Sequence, residues 1–480
     1  MTCPGRMAAL LGAAGALAVG GVAFAAAPNT GPSSSQSPYV VPAVPGVQTT
    51  SILTVGDAAG TKPDGSAYRM VGIPDGLGAF SNGDGTFTVL MNHELTNTAG
   101  VTRAHGAKGA FVSAWTIRRR DLKVLGGRDL IQDVATWNTA TGAFNAPAKG
   151  VAFSRFCSAD LPAESAFYNR RTGLGFKGRI FMNGEESGVE GRAVAHTLGG
   201  TSYELPHLGK FSWENSLANP ATGDTTVVVG TDDGTGGQVY VYVGRKRKTG
   251  NPVERAGLVG GKLYGVRATG FAAEDPATGI PSGTAFTLVD LGDVSGLTGA
   301  QLEARSVALG VTSFQRPEDA SWNPERTKQL YLATTASFTG NSRLWRLNFA
   351  NPADPAAGGT IDMLLDGSEG QRMLDNLTVD DGAVLLQEDP GNQAHIAALW
   401  RYRIKDDSLV KIAEHDAARY TPGVPGFLTQ DEESSGIIPV DGILGDNTYL
   451  FVQQTHLAST DPELVEDGQL LAMRVPEGRR

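Results

Sequence analysis

The sequence predicts an all-β protein, a single β-propeller of about six blades with loop and helical insertions. Three observations predict it. A two-strand motif recurs along the chain. Its copies stand about 47 residues apart or about twice that, the size of a propeller blade. Gly 63 and Pro 25 together supply 88 of 480 residues, roughly 18% against a usual 12% or so, which suits a turn-rich chain and not a helical bundle.

The first segment stands apart from the repeat. Met1 to Ala27 carries Arg6, an apolar stretch from Met7 to Phe24 and closing small residues, the pattern of a cleaved secretory signal peptide. An exported protein without a stable membrane anchor is expected. Residues 28–47, rich in Pro, Ser and Thr, are expected to be a loose leader, and 48–478 the propeller.

The clearest copy runs Thr225 to Asp233, turns at Gly234 to Gly237 and returns through Gln238 to Val243, with Val and Tyr alternating about a glycine turn. Leu330 to Thr335 returning at Arg343 to Leu347 is a second, and Ala383 to Asp389 returning at Leu399 to Tyr402 a third. Looser copies are Phe87 to Glu94, Arg179 to Glu186, and Tyr449 to His456 returning at Gln469 to Met473. Skipped copies are expected near Leu122 to Thr136 and Gly261 to Leu291.

In each copy, polar or acidic residues follow the end of a strand. Radial blades bring equivalent strand ends to one mouth of the central channel. Glu94, Glu186, Asp232, Asp233, Glu388 and Asp389 are therefore expected to share a neighbourhood, and such an oxygen cluster suits Ca²⁺ or another hard cation. The formal charge of −10 argues against an electrostatic grip on nucleic acid or anionic lipid. Cys3 falls in the leading segment, so Cys157 is a lone thiol: buried and inert, an intermolecular partner, or a metal ligand. There is no H-E-x-x-H pair, G-x-S-x-G elbow or P-loop.

The sharpest motif is Phe314-Gln315-Arg316-Pro317-Glu318-Asp319-Ala320-Ser321-Trp322. Pro317 stiffens a turn that sets a planar guanidinium beside two carboxylates. With the Asn92-His93-Glu94 strand end, the Glu185-Glu186 pair, Gly209 to Asn215, Asp232-Asp233 and Gln387 to Pro390, in that chain order, the sequence resembles the PhoX family of secreted alkaline phosphatases. These are six-bladed propellers holding an iron pair and several calcium ions. The resemblance implies iron ligands at Cys157, at Glu185 or Glu186, at Glu214 and at Glu318. It places Arg316 on the phosphate, and Asp319, Asp232, Asp233, Glu388 and Asp389 in the calcium shell. Arg316, Glu318 and Cys157 are the candidate catalytic residues, and Arg316, Asn92, His93 and Glu94 the candidate substrate contacts. The implied protein is a monomer acting on a small phosphorylated substrate. Two other classes fit the bare pattern: a calcium propeller hydrolase of phytase or lactonase type, and a non-catalytic calcium-binding module. Neither gives Cys157 a role.

Overall fold

The computed structural model describes residues 28–380 and 382–476; the expected signal peptide lies outside them. Among the described residues no helix is long and apolar enough to cross a membrane.

Six antiparallel sheets surround one channel. Blade 1 is Pro74–Ser81, Thr86–His93, Phe111–Arg118 and Val124–Asp129. Blade 2 is Phe156–Asp160, Ile180–Glu185, Ala193–Thr197 and Thr201–Glu204, with Asp133–Ala135 outermost. Blade 3 is Trp213–Ala218, Thr225–Asp232, Thr235–Arg245 and Lys262–Ala268. Blade 4 is Pro317–Trp322, Gln329–Thr334, Arg343–Phe349 and Gly359–Leu365. Blade 5 is Leu374–Asp380, Ala383–Glu388, Ala398–Arg403 and Ser408–His415. Blade 6 is Glu432–Pro439, Thr448–Ala458, Glu466–Arg474 and Gln48–Thr54. The first strand of each blade is innermost, and each inner strand packs on the next around a closed ring.

Burial explains the strands. Thr225–Asp232 and Thr235–Arg245 read as near-continuous apolar runs because both faces of blade 3 are covered by neighbouring blades. Val227, Val229, Val239 and Val241 pack toward blade 4, and Val228, Tyr240 and Tyr242 toward blade 2.

Three expectations are corrected. The two skipped copies are not blades. Val124–Asp129 and Asp133–Ala135 are the outer strands of blades 1 and 2. Lys262–Ala268 closes blade 3, and Thr284–Gly292 bridges it to Gly359–Leu365 of blade 4, which joins the two into one sheet. Residues 28–47 are not a loose leader either. Asn29–Thr30 pairs with Gln48–Thr54 at the edge of blade 6, and Val40–Pro42 adds an outer strand to blade 5. Gln48–Thr54 itself pairs with Glu466–Arg474, so residues from the two ends of the chain complete one blade.

Candidate metal centre and phosphate site

Strand register generates the site. The first residue of each inner strand faces a fixed position on the second strand: Pro74 faces His93, Phe156 Glu185, Trp213 Asp232, Pro317 Thr334, Leu374 Glu388 and Glu432 Thr455. The second residue of the inner strand is then Asp75, Cys157, Glu214, Glu318, Asp375 or Glu433. The next residue along the second strand is Glu94, Glu186, Asp233, Thr335, Asp389 or His456. These two sets form an inner and an outer ring at one mouth of the channel.

The backbone repeats as faithfully. In all six blades the outer-ring N–H donates to the carbonyl of the residue preceding the inner strand: Glu94 to Ile73 at 2.9 Å, Glu186 to Arg155 at 2.8 Å, Asp233 to Ser212 at 2.9 Å, Thr335 to Arg316 at 3.1 Å, Asp389 to Met373 at 3.0 Å and His456 to Asp431 at 3.1 Å. In five blades the register then slips by one residue within the first four positions of the inner strand; in blade 6 the slip comes at Ser435/Ile438. Such bulges re-aim side chains, here at the mouth. Ile73, Arg155, Arg316 and Met373 carry φ of 48°, 46°, 61° and 41°, a left-handed conformation that is costly without glycine and concentrates at functional sites.

Candidate ligand atoms fall into four linked groups: Asp75, Glu94 and Cys157; Cys157, Glu186 and Glu214; Glu214, Glu318 and Asp375; Asp375, Asp389 and Glu433. Within each group they lie within 4.8 Å of one another, and neighbouring groups share Cys157, Glu214 or Asp375. The cavity between them is about 50 Å³, room for ions and water and not for an organic group. Burial, with Glu94 and Glu433 next, holds the Asp75 carboxyl well above its ordinary range. Burial followed by the charge of Asp233 does the same to Glu318, and burial pushes Glu214 up to about 8. Burial followed by Asp75 raises the Cys157 thiol.

The arrangement fits cations on two counts. Asp75 is wholly buried and its Oδ1 has no partner, while its Oδ2 accepts from Gln454 at 3.0 Å and faces Cys157 Sγ at 3.5 Å. The donor set is also graded: the two groups that share Cys157 carry a sulfur, and the other two are all oxygen.

Arg316 enters over this crescent. Its Nε and one terminal nitrogen donate to Asp233, each at 2.8 Å, and the same nitrogen lies 3.0 Å from Glu318. Arg155 contacts Glu94 at 2.7 Å and also pairs with Glu186. At blade 6, burial would lower His456, but hydrogen bonds to Glu433 and Glu466 push it up to about 11.

Of the expected site residues, the fold brings together Cys157, Glu186, Glu214, Asp233, Arg316, Glu318, Asp389 and Glu94. Glu185, Asp232, Glu388, His93 and Asp319 stand one residue from a ring position, so strand alternation turns them away from it, and Asn92 stands two residues away. Glu185 is taken up by Arg192, at 2.6 and 2.7 Å. Asp232 accepts from Ser212 N at 3.1 Å. Glu388 accepts from Arg372 N, Ala398 N and Trp400, and faces His395. His93 stacks on Phe111 and bonds Ser113, and Asn92 donates to the Cys157 carbonyl; both are fully buried. Asp319 points down the channel, where it accepts from Asn215 at 2.6 Å and Leu377 N at 3.0 Å.

Asp75, Asp375, Glu433 and Arg155 also stand at the mouth and are not among the expected site residues. Their signal is the repeated start of the inner strand: Pro74-Asp75-Gly76, Phe156-Cys157-Ser158, Trp213-Glu214-Asn215, Pro317-Glu318-Asp319, Leu374-Asp375-Asn376 and Glu432-Glu433-Ser434.

Comparison with known proteins follows from this geometry. Residues 195–372 match the family model for alkaline phosphatase PhoX, a span that includes Glu214, Asp233, Arg316 and Glu318. Over 89% of this chain and 95% of the other, the fold superposes on Pseudomonas fluorescens PhoX in complex with vanadate, a transition state analogue, with TM-score 0.66 and 13% identity. The chain shares the propeller fold of that phosphatase. Weaker likenesses are the periplasmic gluconolactonase of Pseudomonas aeruginosa (TM-score 0.33, 11% identity, 88% and 95% covered) and the Trypanosoma rangeli sialidase (TM-score 0.38, 9% identity, 90% and 58% covered). No curated protein matches in sequence. Cys157, Glu186 and the blade 1, 5 and 6 ligands lie outside the matched span and are placed by strand register.

Proposed function

We propose that this chain is a metal-dependent phosphatase that hydrolyses phosphate monoesters at the mouth of the propeller. The observation that carries this reading is the crescent of four linked ligand groups with the Arg316 guanidinium over it. An iron pair suits the two groups that share Cys157, and Ca²⁺ suits the two all-carboxylate groups. Bound there, such cations supply Lewis acidity toward the phosphoryl oxygens and cancel the charge of the carboxylates.

The chain's own residues do the rest. Arg316 presents a planar fork matched to phosphate oxygens, held in place by its bidentate contact with Asp233. Ser158 Oγ donates to Glu214 at 2.6 Å and accepts from Asn376 at 2.5 Å, which fixes the Glu214 carboxylate from beneath. Cys157 must lose its proton to ligate, so loading releases a proton and is favoured as pH rises. No serine or threonine nucleophile is required. Export through Met1 to Ala27, a monomeric state and a small phosphorylated substrate belong to the same proposal.

The test is elemental analysis of the purified protein with p-nitrophenyl phosphate hydrolysis at alkaline pH, for wild type and Cys157→Ala. We expect iron and calcium in the active wild type, and loss of iron and turnover in a folded variant. Full activity in Cys157→Ala would sink the iron-pair assignment. An inactive wild type rich in calcium would move the function to binding.

A further inference from the structure

Among the described residues lining the mouth cavity, two side chains carry a fixed positive charge, Arg155 and Arg316. They occupy the same position in blades 2 and 4, the residue immediately before the inner strand. In the other blades that position holds Ile73, Ser212, Met373 and Asp431, none of them cationic.

The equivalence extends to conformation and contact. Both arginines are left-handed, at φ 46° and 61°, and both accept at their carbonyl the N–H of their own blade's outer-ring residue. Each guanidinium reaches back one blade to the preceding outer-ring carboxylate, Arg155 to Glu94 at 2.7 Å and Arg316 to Asp233 at 2.8 Å. Each then touches a candidate ligand of its own blade, Glu186 or Glu318. Their side chains stay 44% and 35% exposed, so both remain open to a ligand arriving from solvent. A transferring phosphoryl group spreads charge over three equatorial oxygens, more edges than one planar fork can cover.

We propose that Arg155 is a second phosphate-gripping residue, closing on the same phosphoryl group as Arg316 from the opposite flank of blade 3. This rests on the phosphatase reading for the identity of the anion. A merely structural Arg155 would neutralise Glu94 and Glu186 and hold the Glu186 carbonyl through its Nε at 2.9 Å, so its loss would read as lost metal or a lower melting temperature. The two roles therefore separate on Arg155→Lys, which keeps the charge and removes the bidentate geometry.

The experiment uses metal-loaded full chain as wild type, Arg155→Lys and Arg155→Gln. It reads metal content, melting temperature, calorimetric affinity for inorganic phosphate, and kcat and KM for p-nitrophenyl phosphate. Arg155→Lys is expected to keep its metals and melting temperature while phosphate affinity and kcat/KM fall roughly ten- to hundred-fold. Wild-type phosphate affinity in Arg155→Lys overturns the proposal, including where Arg155→Gln sheds metal or fails to fold. A wild type that binds phosphate without turnover, and loses that affinity in Arg155→Lys, would uphold Arg155 while removing the phosphatase reading. An active wild type matched by Arg155→Lys would do the reverse.

Discussion

Removal of the cations should destabilise this protein in a way that depends on pH. Nine carboxylates meet at the mouth: Asp75, Glu94, Glu186, Glu214, Asp233, Glu318, Asp375, Asp389 and Glu433. Facing them are Arg155, Arg316 and His456. Two unit charges 4.8 Å apart, the limit within each group, repel by about 3.5 kcal/mol at an effective dielectric of 20. The two all-carboxylate groups alone contain six such pairs, about 20 kcal/mol, more than the typical 5–15 kcal/mol stability of a whole protein. The chelated protein must therefore open or take up protons. With about 2.1 cal/mol/K of unfolding entropy per residue, a chain of this size loses roughly 1 °C of Tm per kcal/mol. Three pairs left charged at pH 9 lower Tm by about 10 °C. Burial raises Glu214 to about 8 and, with Glu433 next, Asp389 to about 7. A carboxyl whose folded pKa is raised burdens the native state above that pKa and relieves it as pH falls through it. The Tm of chelated protein should thus climb between pH 9 and pH 7, by about 1.4 °C from Glu214 and by less than about 1 °C from Asp389, whose relief continues below pH 7. Thermal melts with and without chelator at pH 9, 8 and 7 decide the matter. No shift on exhaustive chelation, or a chelated Tm that stays flat across that range, would refute the reasoning.

Other outcomes follow from the same geometry. Glu186→Gln should lose bound metal and at least tenfold in activity with little change in Tm; Glu185→Gln should keep its metal and lose about 2 kcal/mol, because Arg192 is left without its bidentate partner. Elemental analysis beside melting curves reads both, and the opposite pattern would invert the ring assignment. Burial holds His93 and His196 down to about 3, and His105 and His415 to about 4. Such a histidine supports the fold above its ordinary pKa near 6.5 and withdraws that support as pH falls, by about 2 kcal/mol each at pH 5. Denaturant titrations of loaded protein at pH 7 and pH 5 measure the loss, and equal midpoints would contradict it. Gly76→Ala would set a methyl group 2.4 Å from Ala159 N and 2.5 Å from Ser158 C, backbone atoms of the next inner strand. A loss of at least about 3 kcal/mol is expected, and a near wild-type Tm would show that blades 1 and 2 are not packed as described.

The hairpins were legible in the sequence, and the phase of the site was not. Glycine turns between alternating Val and Tyr marked blade 3, because that hairpin is local. Glu185, Asp232 and Glu388 were drawn into the cluster because adjacent acids look alike until cross-strand pairing assigns each a face. Asp75 and Asp375 escaped notice because a lone acid at a strand start carries no periodicity. Arg316 stood out through Pro317, whereas Arg155, its equivalent in blade 2, precedes a phenylalanine. The outer strands Val40–Pro42 and Gln48–Thr54 were invisible for a simpler reason: their partners lie more than 360 residues away.

That last pairing bears on when the mouth can exist. The crescent draws on every blade, and blade 6 is complete only when Gln48–Thr54 lies against Glu466–Arg474. A ribosome that has released blades 1 to 5 has made eight of the ligand side chains but no circle to hold them. The ring thus closes only after Glu466–Arg474 has been made, at the slow, long-range end of folding. Whichever compartment witnesses that final docking also chooses, from its own stock of dissolved ions, what the finished molecule will carry.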